Sequence, residues 1–232
     1  ARWDGTRLPP DFDRFDPAYT QPAWYPDRMQ ITIDDGPRPK RLVQILDVLK
    51  EHQVRATFFF IGQNVMVEWM RDSSGLQEIL QRLVREGHAL GYHSMDHDTT
   101  FLHHLQAWRP PQVVDDVILF KAILDLALGY SYPMVWARAP GGMGVRNSWL
   151  RAAFGMAGLR ASVPWTVDPA AWPPGISSRK VRALARTLDK KGSRQIILLH
   201  ETNGVARELD AFLGEVRQIW EEGNGAQAAS SR

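Results

Sequence analysis

The sequence predicts a single α/β domain in which βα units surround a mostly parallel sheet. Three observations predict it. Short apolar runs alternate with stretches of helical periodicity, the runs recur from near residue 29 to near residue 199, and no internal repeat divides them. At 232 residues the chain is ample for one cored domain and short for two.

Taken in order, residues 1–28 hold Trp3, Phe12, Phe15, Tyr19, Trp24 and Tyr25 among prolines, with neither helical nor alternating period. They read as an extended arm packed over the outside of the domain. In the first strand, 29–34, Met29, Ile31 and Ile33 alternate with Gln30, Thr32 and Asp34, so Asp34 lies on the face opposite the isoleucines. Further strands are expected near 56–61, 88–92, 134–138, 159–163 and 195–199. Helical stripes lie between them: Leu42, Ile45, Leu46 and Leu49; Leu76, Ile79, Leu80 and Leu83; Val181, Leu184 and Leu188; and Leu209, Phe212, Leu213 and Val216. Asp98 to Pro111 is long for a βα loop and carries Phe101, His103, His104 and Trp108; loops of this kind shape ligand clefts. Residues 223–232 are small and polar and read as a flexible tail, leaving 29–222 as the domain proper.

Composition sets looser bounds. A formal net charge of +2 with no basic block gives no ground for nucleic acid or an anionic membrane as partner. No apolar run is long enough to span a bilayer. The absence of cysteine excludes disulfides and thiolate ligands but not an oxidising compartment, because a domain of this size needs no staples. The chain begins at Ala1, which points to a processed or truncated form from which any signal segment has been removed. Nothing in the sequence indicates an oligomeric state.

Chemistry concentrates at strand ends. Gly36-Pro37 breaks the pleat just after Asp34 and Asp35, and only where the alternation is broken can two adjacent carboxylates face one pocket. After the strand Ala89 to Tyr92, a turn places His93 and His97 one helical turn apart. Two imidazoles and one carboxylate are the usual protein ligands of a catalytic zinc, which leaves a position for water and the second aspartate as a base. Asp-Asp-Gly-Pro is by itself an ordinary turn, and one i, i+4 pair among seven histidines is unexceptional. What raises the reading is the company: Arg138-Ala139-Pro140 after one strand and Leu198-Leu199-His200 closing another. In a (β/α) barrel the C-terminal strand ends form the active face, where residues scattered in sequence converge.

In this order the motifs resemble the NodB-homology polysaccharide deacetylases, carbohydrate esterase family four. Thr32-Ile33-Asp34-Asp35-Gly36 resembles the first family motif, His93 to His97 the second, Arg138 and Pro140 the third, Asp168 and Trp172 the fourth, and Leu198 with His200 the fifth. Ala56 to Gly62 is similar to the family's second strand. The resemblance implies a distorted (β/α)7-type barrel that hydrolyses N-acetyl groups on GlcNAc-type poly- or oligosaccharides. It implies Asp34 as base, Asp35, His93 and His97 as ligands of one divalent ion, and His200 as acid. Zinc suits that mixed donor set, with cobalt, nickel and manganese as the other candidates. Arg138 is the residue expected to orient Asp34. Pro140, Gly141, Trp172 and Leu198 are expected to line the substrate, with the Gly141 N–H facing the oxyanion. An extracytoplasmic location is also implied.

Two positions depart from the pattern. Gly141 stands where an aromatic is usual, and Ala171 where a second aspartate is usual. Losing that carboxylate should weaken His200 as a proton donor unless Asp168 or Glu201 replaces it. Two alternatives therefore stay open: a carbohydrate-binding relative with a metal site and weak or no turnover, and a hydrolase of the same fold acting on another amide or an O-acetyl ester.

Overall fold

A computed structural model of the protein describes residues 29–97, 110–142, 148–168, 183, 186 and 195–230. The expectations for the N-terminal arm, the loop with Phe101, His103, His104 and Trp108, the stripe at Val181, Leu184 and Leu188, and Ala171 and Trp172 lie outside the described residues.

Strands β1 (Met29–Asp34), β2 (Ala56–Phe60), β3 (Ala89–Tyr92), β4 (Trp136–Ala137), β5 (Ala161–Ser162) and β6 (Gln195–His200) pair in parallel in the order β5-β4-β3-β2-β1-β6. Helices α1 (Pro39–Glu51), α2 (Gly62–Arg71), α3 (Ser73–Arg85), α4 (Pro110–Leu128), α5 (Ser148–Met156) and α6 (Val205–Ser230) connect or flank them. β4 and β5 are two residues each, shorter than the expected runs 134–138 and 159–163. α6 continues to Ser230, through residues expected to fray.

Helices α2 and α4 were not legible as stripes, and the reason is their outer faces. α4 buries Val113, Val117, Phe120 and Leu124 but also exposes Ile118, Leu119 and Leu126; α2 exposes Met66, Val67 and Met70. With apolar residues all round, α4 lacks the polar face that makes a period visible; in α2 the buried side includes Gly62 and Glu68 while methionine and valine face outward, so its apolar stripe is inverted in places. α1 is the opposite case. Pro39 starts it with its missing N–H at a position that needs none, and Leu42, Ile45, Leu46 and Leu49 are fully buried, each contributing about 1.5–3 kcal/mol of apolar transfer.

The sheet is curled. Ser162 pairs with Ala137 at one edge, yet Val167, five residues on, forms a parallel bridge to Ile197 on the free side of β6. In a flat sheet the two edges would stand about 24 Å apart at roughly 4.8 Å per strand, whereas five residues reach at most about 18 Å. The edges must therefore approach each other, and the bridge at Val167 stands where a seventh strand would close the barrel. This is a distorted barrel, as the family resemblance implies, with its ladder incomplete at Val167.

Curling gives the sheet an inside and an outside, and the core divides accordingly. Outward residues Ile31, Ile33, Phe58, Phe60, Leu90, Tyr92, Ile197 and Leu199 pack with the helices. Phe59, Ala89, Trp136, Val163 and Ile196 form a separate, smaller cluster with Trp165 on the inner side. In the β1–β6 register Gln30, Thr32 and Asp34 stand beside Ile196, Leu198 and His200, so the inner column ends in Asp34 and His200 at the C-terminal rim.

Candidate active site

Asp34 is the last residue of β1 and is buried; Asp35 follows with φ of 76°, in the left-handed region. That turn of the backbone is what brings two successive carboxylates to one side. Asp34 Oδ2 and Asp35 Oδ1 lie 3.6 and 3.5 Å from the same atom, His93 Nε2. Main-chain ties fix the loop: Asp35 N–H donates to Phe59 O, and Asn64 Nδ2 donates to Asp35 O at 2.7 Å.

His93 and His97 are close, with ring centroids 5.0 Å apart, but no helix joins them. Ser94 and His97 have φ of 64° and 49°, and His97 N–H donates to Ser94 Oγ. The i, i+4 proximity is made by a compact turn instead. His93 Nδ1 is 2.7 Å from Arg138 O, which assigns a proton to Nδ1 and leaves the Nε2 lone pair of the neutral ring free to ligate a cation.

Asp35, His93 and His97 each offer one ligand atom, all within 4.8 Å of one another. His97 Nε2 is 3.3 Å from Asp35 Oδ1, yet this buried oxygen makes no hydrogen bond among the described residues. An orphaned acceptor facing two imidazole nitrogens fits a shared cation. The charges agree. Burial works against ionisation of Asp35, but His93, His200 and His97 hold its carboxyl below the ordinary range. Burial likewise opposes a charged His93, and Asp34, Asp35 and the Arg138 carbonyl overcome it, raising the imidazole above its ordinary value. The pocket draws positive charge.

Arg138 leaves the end of β4 and enters the barrel. Its Nη1 donates to Asp34 Oδ1 at 2.7 Å and Thr32 Oγ1 at 2.9 Å; Nε donates to Val163 O and Nη2 to Pro164 O. The guanidinium lies 4.5 Å over the Phe59 ring and 5.6 Å from Trp165. Burial pushes the Arg138 pKa down and its ion pair with Asp34 opposes this, so each partner depends on the other. Phe59 can lie there because residue 91 is glycine: a Cβ on Gly91 would stand 2.6 Å from that ring. The Arg138 cradle of Thr32, Phe59 and Trp165 was missed from sequence. Thr32 was visible as an inward β1 residue, but nothing marked the aromatics as its companions.

His200 is half-buried at the end of β6, directly paired with Asp34. Glu201 does not replace the missing carboxylate beside it. Successive strand residues point to opposite sides, and Glu201 Oε1 accepts from Arg38 N–H at 2.6 Å at the start of α1. Burial lifts this carboxyl to about 8, against Arg38 and Arg41 and with Asp35 adding to the rise. Pro140 is buried, and Gly141 has φ of 63° in a 3-10 turn, a left-handed conformation that glycine adopts at least cost. Leu198 is buried two residues before His200 on the same face. Asp34, Asp35, His93, His97 and Arg138 are thus brought together, with His200 beside Asp34.

Residues 25–162 match the family described as polysaccharide deacetylase. A chitooligosaccharide deacetylase of Bradyrhizobium sp. (strain ANU 289) is 34% identical over 172 residues, covering 74% of this chain and 69% of that protein. A peptidoglycan-N-acetylglucosamine deacetylase of Bacillus cereus is 29% identical over 176 residues, covering 75% of this chain and 56% of its own length. Among solved structures, a polysaccharide deacetylase from Bacillus cereus superposes with a TM-score of 0.62 at 26% identity, covering 83% of this chain and 88% of the other.

Proposed function

The chain belongs to the polysaccharide deacetylase family, and from that premise we propose that it removes N-acetyl groups from a GlcNAc-type poly- or oligosaccharide by metal-assisted hydrolysis. The observation that carries the reading is the division of labour between neighbours: Asp34 is held by Arg138, while Asp35 faces His93 and His97.

Asp35, His93 and His97 would hold a divalent cation, zinc on the chemistry of the donor set, which when bound would supply Lewis-acid polarisation of the acetamide carbonyl and a more acidic water. Asp34 takes the proton of the attacking water. Arg138 aims that carboxylate, its Nη1 donating to Asp34 Oδ1 at 2.7 Å within a buried ion pair. The Gly141 N–H stabilises the developing oxyanion, and Leu198 shelters the acetyl methyl. His200 then delivers a proton to the departing amine. We propose an extracytoplasmic site of action, as the resemblance implies. No helix among the described residues is long and apolar enough to cross a membrane.

The test is acetate release from N-acetylchitooligosaccharides and from peptidoglycan fragments, run beside acetylated xylan. Asp34→Asn should lower kcat by about two to four orders of magnitude while metal content, read by elemental analysis, stays near one zinc per chain. Wild-type turnover in Asp34→Asn, or full metal in His93→Ala/His97→Ala, overturns the assignment. Release from the xylan ester alone would mean an O-acetyl esterase.

A further inference from the structure

The turn between the two histidines holds two non-glycine residues in the left-handed region, Ser94 and His97. Such conformations persist only where the surroundings over-determine them. Two neighbours do so here. From one side the N-terminus of α2 donates to the turn, Gly62 N–H to Ser94 O at 3.0 Å and Gln63 N–H to Met95 O at 2.7 Å. The approach is so close that a Cβ on Gly62 would collide with Met95 Sδ. From the other side α4 contributes one carboxylate. Asp116 Oδ2 accepts from Met95 N–H at 3.1 Å and from Tyr92 OH at 2.5 Å.

Asp116 therefore bonds to the residue before His93 and to the residue midway between His93 and His97. It occupies a place a packing residue would fill, since Val113, Val117, Phe120 and Leu124 of the same helix are buried core. Tyr92 is itself fully buried against Phe120 and Phe154. A half-buried carboxylate on an otherwise apolar face is costly unless it is satisfied, and its hydrogen-bond partners Met95 and Tyr92 both sit at the metal-ligand turn.

We propose that Asp116, with Tyr92, is a positioning residue for the metal site: it fixes the Met95 N–H, and through it sets the separation of the His93 and His97 imidazoles. The inference rests on the reading of Asp35, His93 and His97 as metal ligands. An outer group that orients ligands typically governs affinity by about 10- to 100-fold. Both bonds end on the one oxygen Oδ2, so asparagine at 116 can keep them through its carbonyl oxygen without the charge, whereas leucine or alanine removes both.

Zinc affinity of the metal-free full-length protein, measured by competition with a chromogenic chelator at fixed pH, reads this directly. Asp116→Leu and Asp116→Ala should weaken zinc binding at least tenfold while far-UV circular dichroism is unchanged, and Asp116→Asn should lose less than either. Tyr92→Phe leaves the Met95 bond in place and should lose less than threefold. Zinc affinity equal to wild type in Asp116→Leu and Asp116→Ala, with only a lower Tm, would make Asp116 purely structural and overturn the proposal. So would equal losses in Tyr92→Phe and Asp116→Ala. A wild-type protein that takes up no zinc overturns the ligand assignment itself, and this inference with it. If Asp116→Leu fails to fold, the contrast between Asp116→Ala and Tyr92→Phe decides.

Discussion

His88 and His93 bracket the same four-residue strand, β3, and live in opposite electrostatic worlds. At the strand's start His88 is buried, its Nδ1 accepts the Ala56 N–H at 3.1 Å, and its ring meets Phe58 edge-on. Burial, with Arg82 and Arg55 adding to it, drives its pKa down to about 4. At the strand's end His93 is just as buried, but Asp34 and Asp35 turn the balance and raise it. Burial alone therefore does not set a histidine's charge; the carboxylates gathered at the C-terminal rim do. The lower end of the barrel uses imidazole as an aromatic acceptor, and the upper end uses it as a seat for positive charge.

The largest expected contrast is in activity. His93→Gln should abolish zinc binding and acetate release together, whereas His88→Gln should keep both within about threefold per folded molecule. If the His88 variant loses catalysis while folded, the two ends are coupled and the division fails.

Next comes Glu201, another rim group, whose sign runs against ordinary carboxylates. Its pKa is near 4.5 unfolded and about 8 folded. Below 4.5 it is protonated in both states and costs nothing. Between 4.5 and 8 the unfolded chain loses the proton first, so stability falls as pH rises, by roughly 5 kcal/mol across the window at about 1.4 kcal/mol per pH unit. Urea denaturation of metal-free Glu201→Gln from pH 5 to 8 should show a much flatter slope. An unchanged slope would mean that Glu201 is ionised in the folded protein.

Arg138 follows. Arg138→Met strands Asp34 as a buried charge and should cost about 3–5 kcal/mol, with a good part recovered in Arg138→Met/Asp34→Asn. Additive losses would break the claim that the two act as one unit.

These contrasts also mark what the sequence could and could not carry. Asp34 was legible because alternation in β1 is strict, and Asp35 because Gly36-Pro37 announces a break; the positive φ at Asp35 is that break in physical form. Spacing brought His93 and His97 together correctly but suggested a helical turn where the chain uses left-handed residues, since i, i+4 proximity does not specify its backbone. Glu201 looked like a neighbour for His200 because the two are adjacent in sequence, and strand geometry sends them apart. Asp116 carried no readable signal, because the apolar residues on the outer face of α4 hide the stripe of Val113, Val117 and Phe120 beside which it sits. The contacts of Phe59 and Trp165 with Arg138 had no such signal, because Trp165 reaches the site only when the sheet curls.

The smallest effect is the one that tests the opening comparison most directly. His88 binds its proton only near pH 4 when folded and at 6.5 when unfolded, so its contribution is intact above 6.5 and is lost as pH falls toward 4, about 3 kcal/mol over that span. His93 in the metal-free protein runs the other way: its folded pKa lies above 6.5, so its stabilisation is complete below 6.5 and fades as pH rises through the folded value. Chemical denaturation of metal-free protein from pH 4 to 8.5 should therefore separate the pair. His88→Gln should flatten the acid limb alone, and His93→Gln the neutral-to-alkaline contribution alone. Saturating zinc should erase the His93 term, because a bound cation takes the place of the proton, and leave the acid limb of His88 untouched above the pH at which the metal dissociates. If His88→Gln leaves the acid limb as steep as in wild type, that histidine is not the group held neutral, and the two ends of β3 are less different than their surroundings imply.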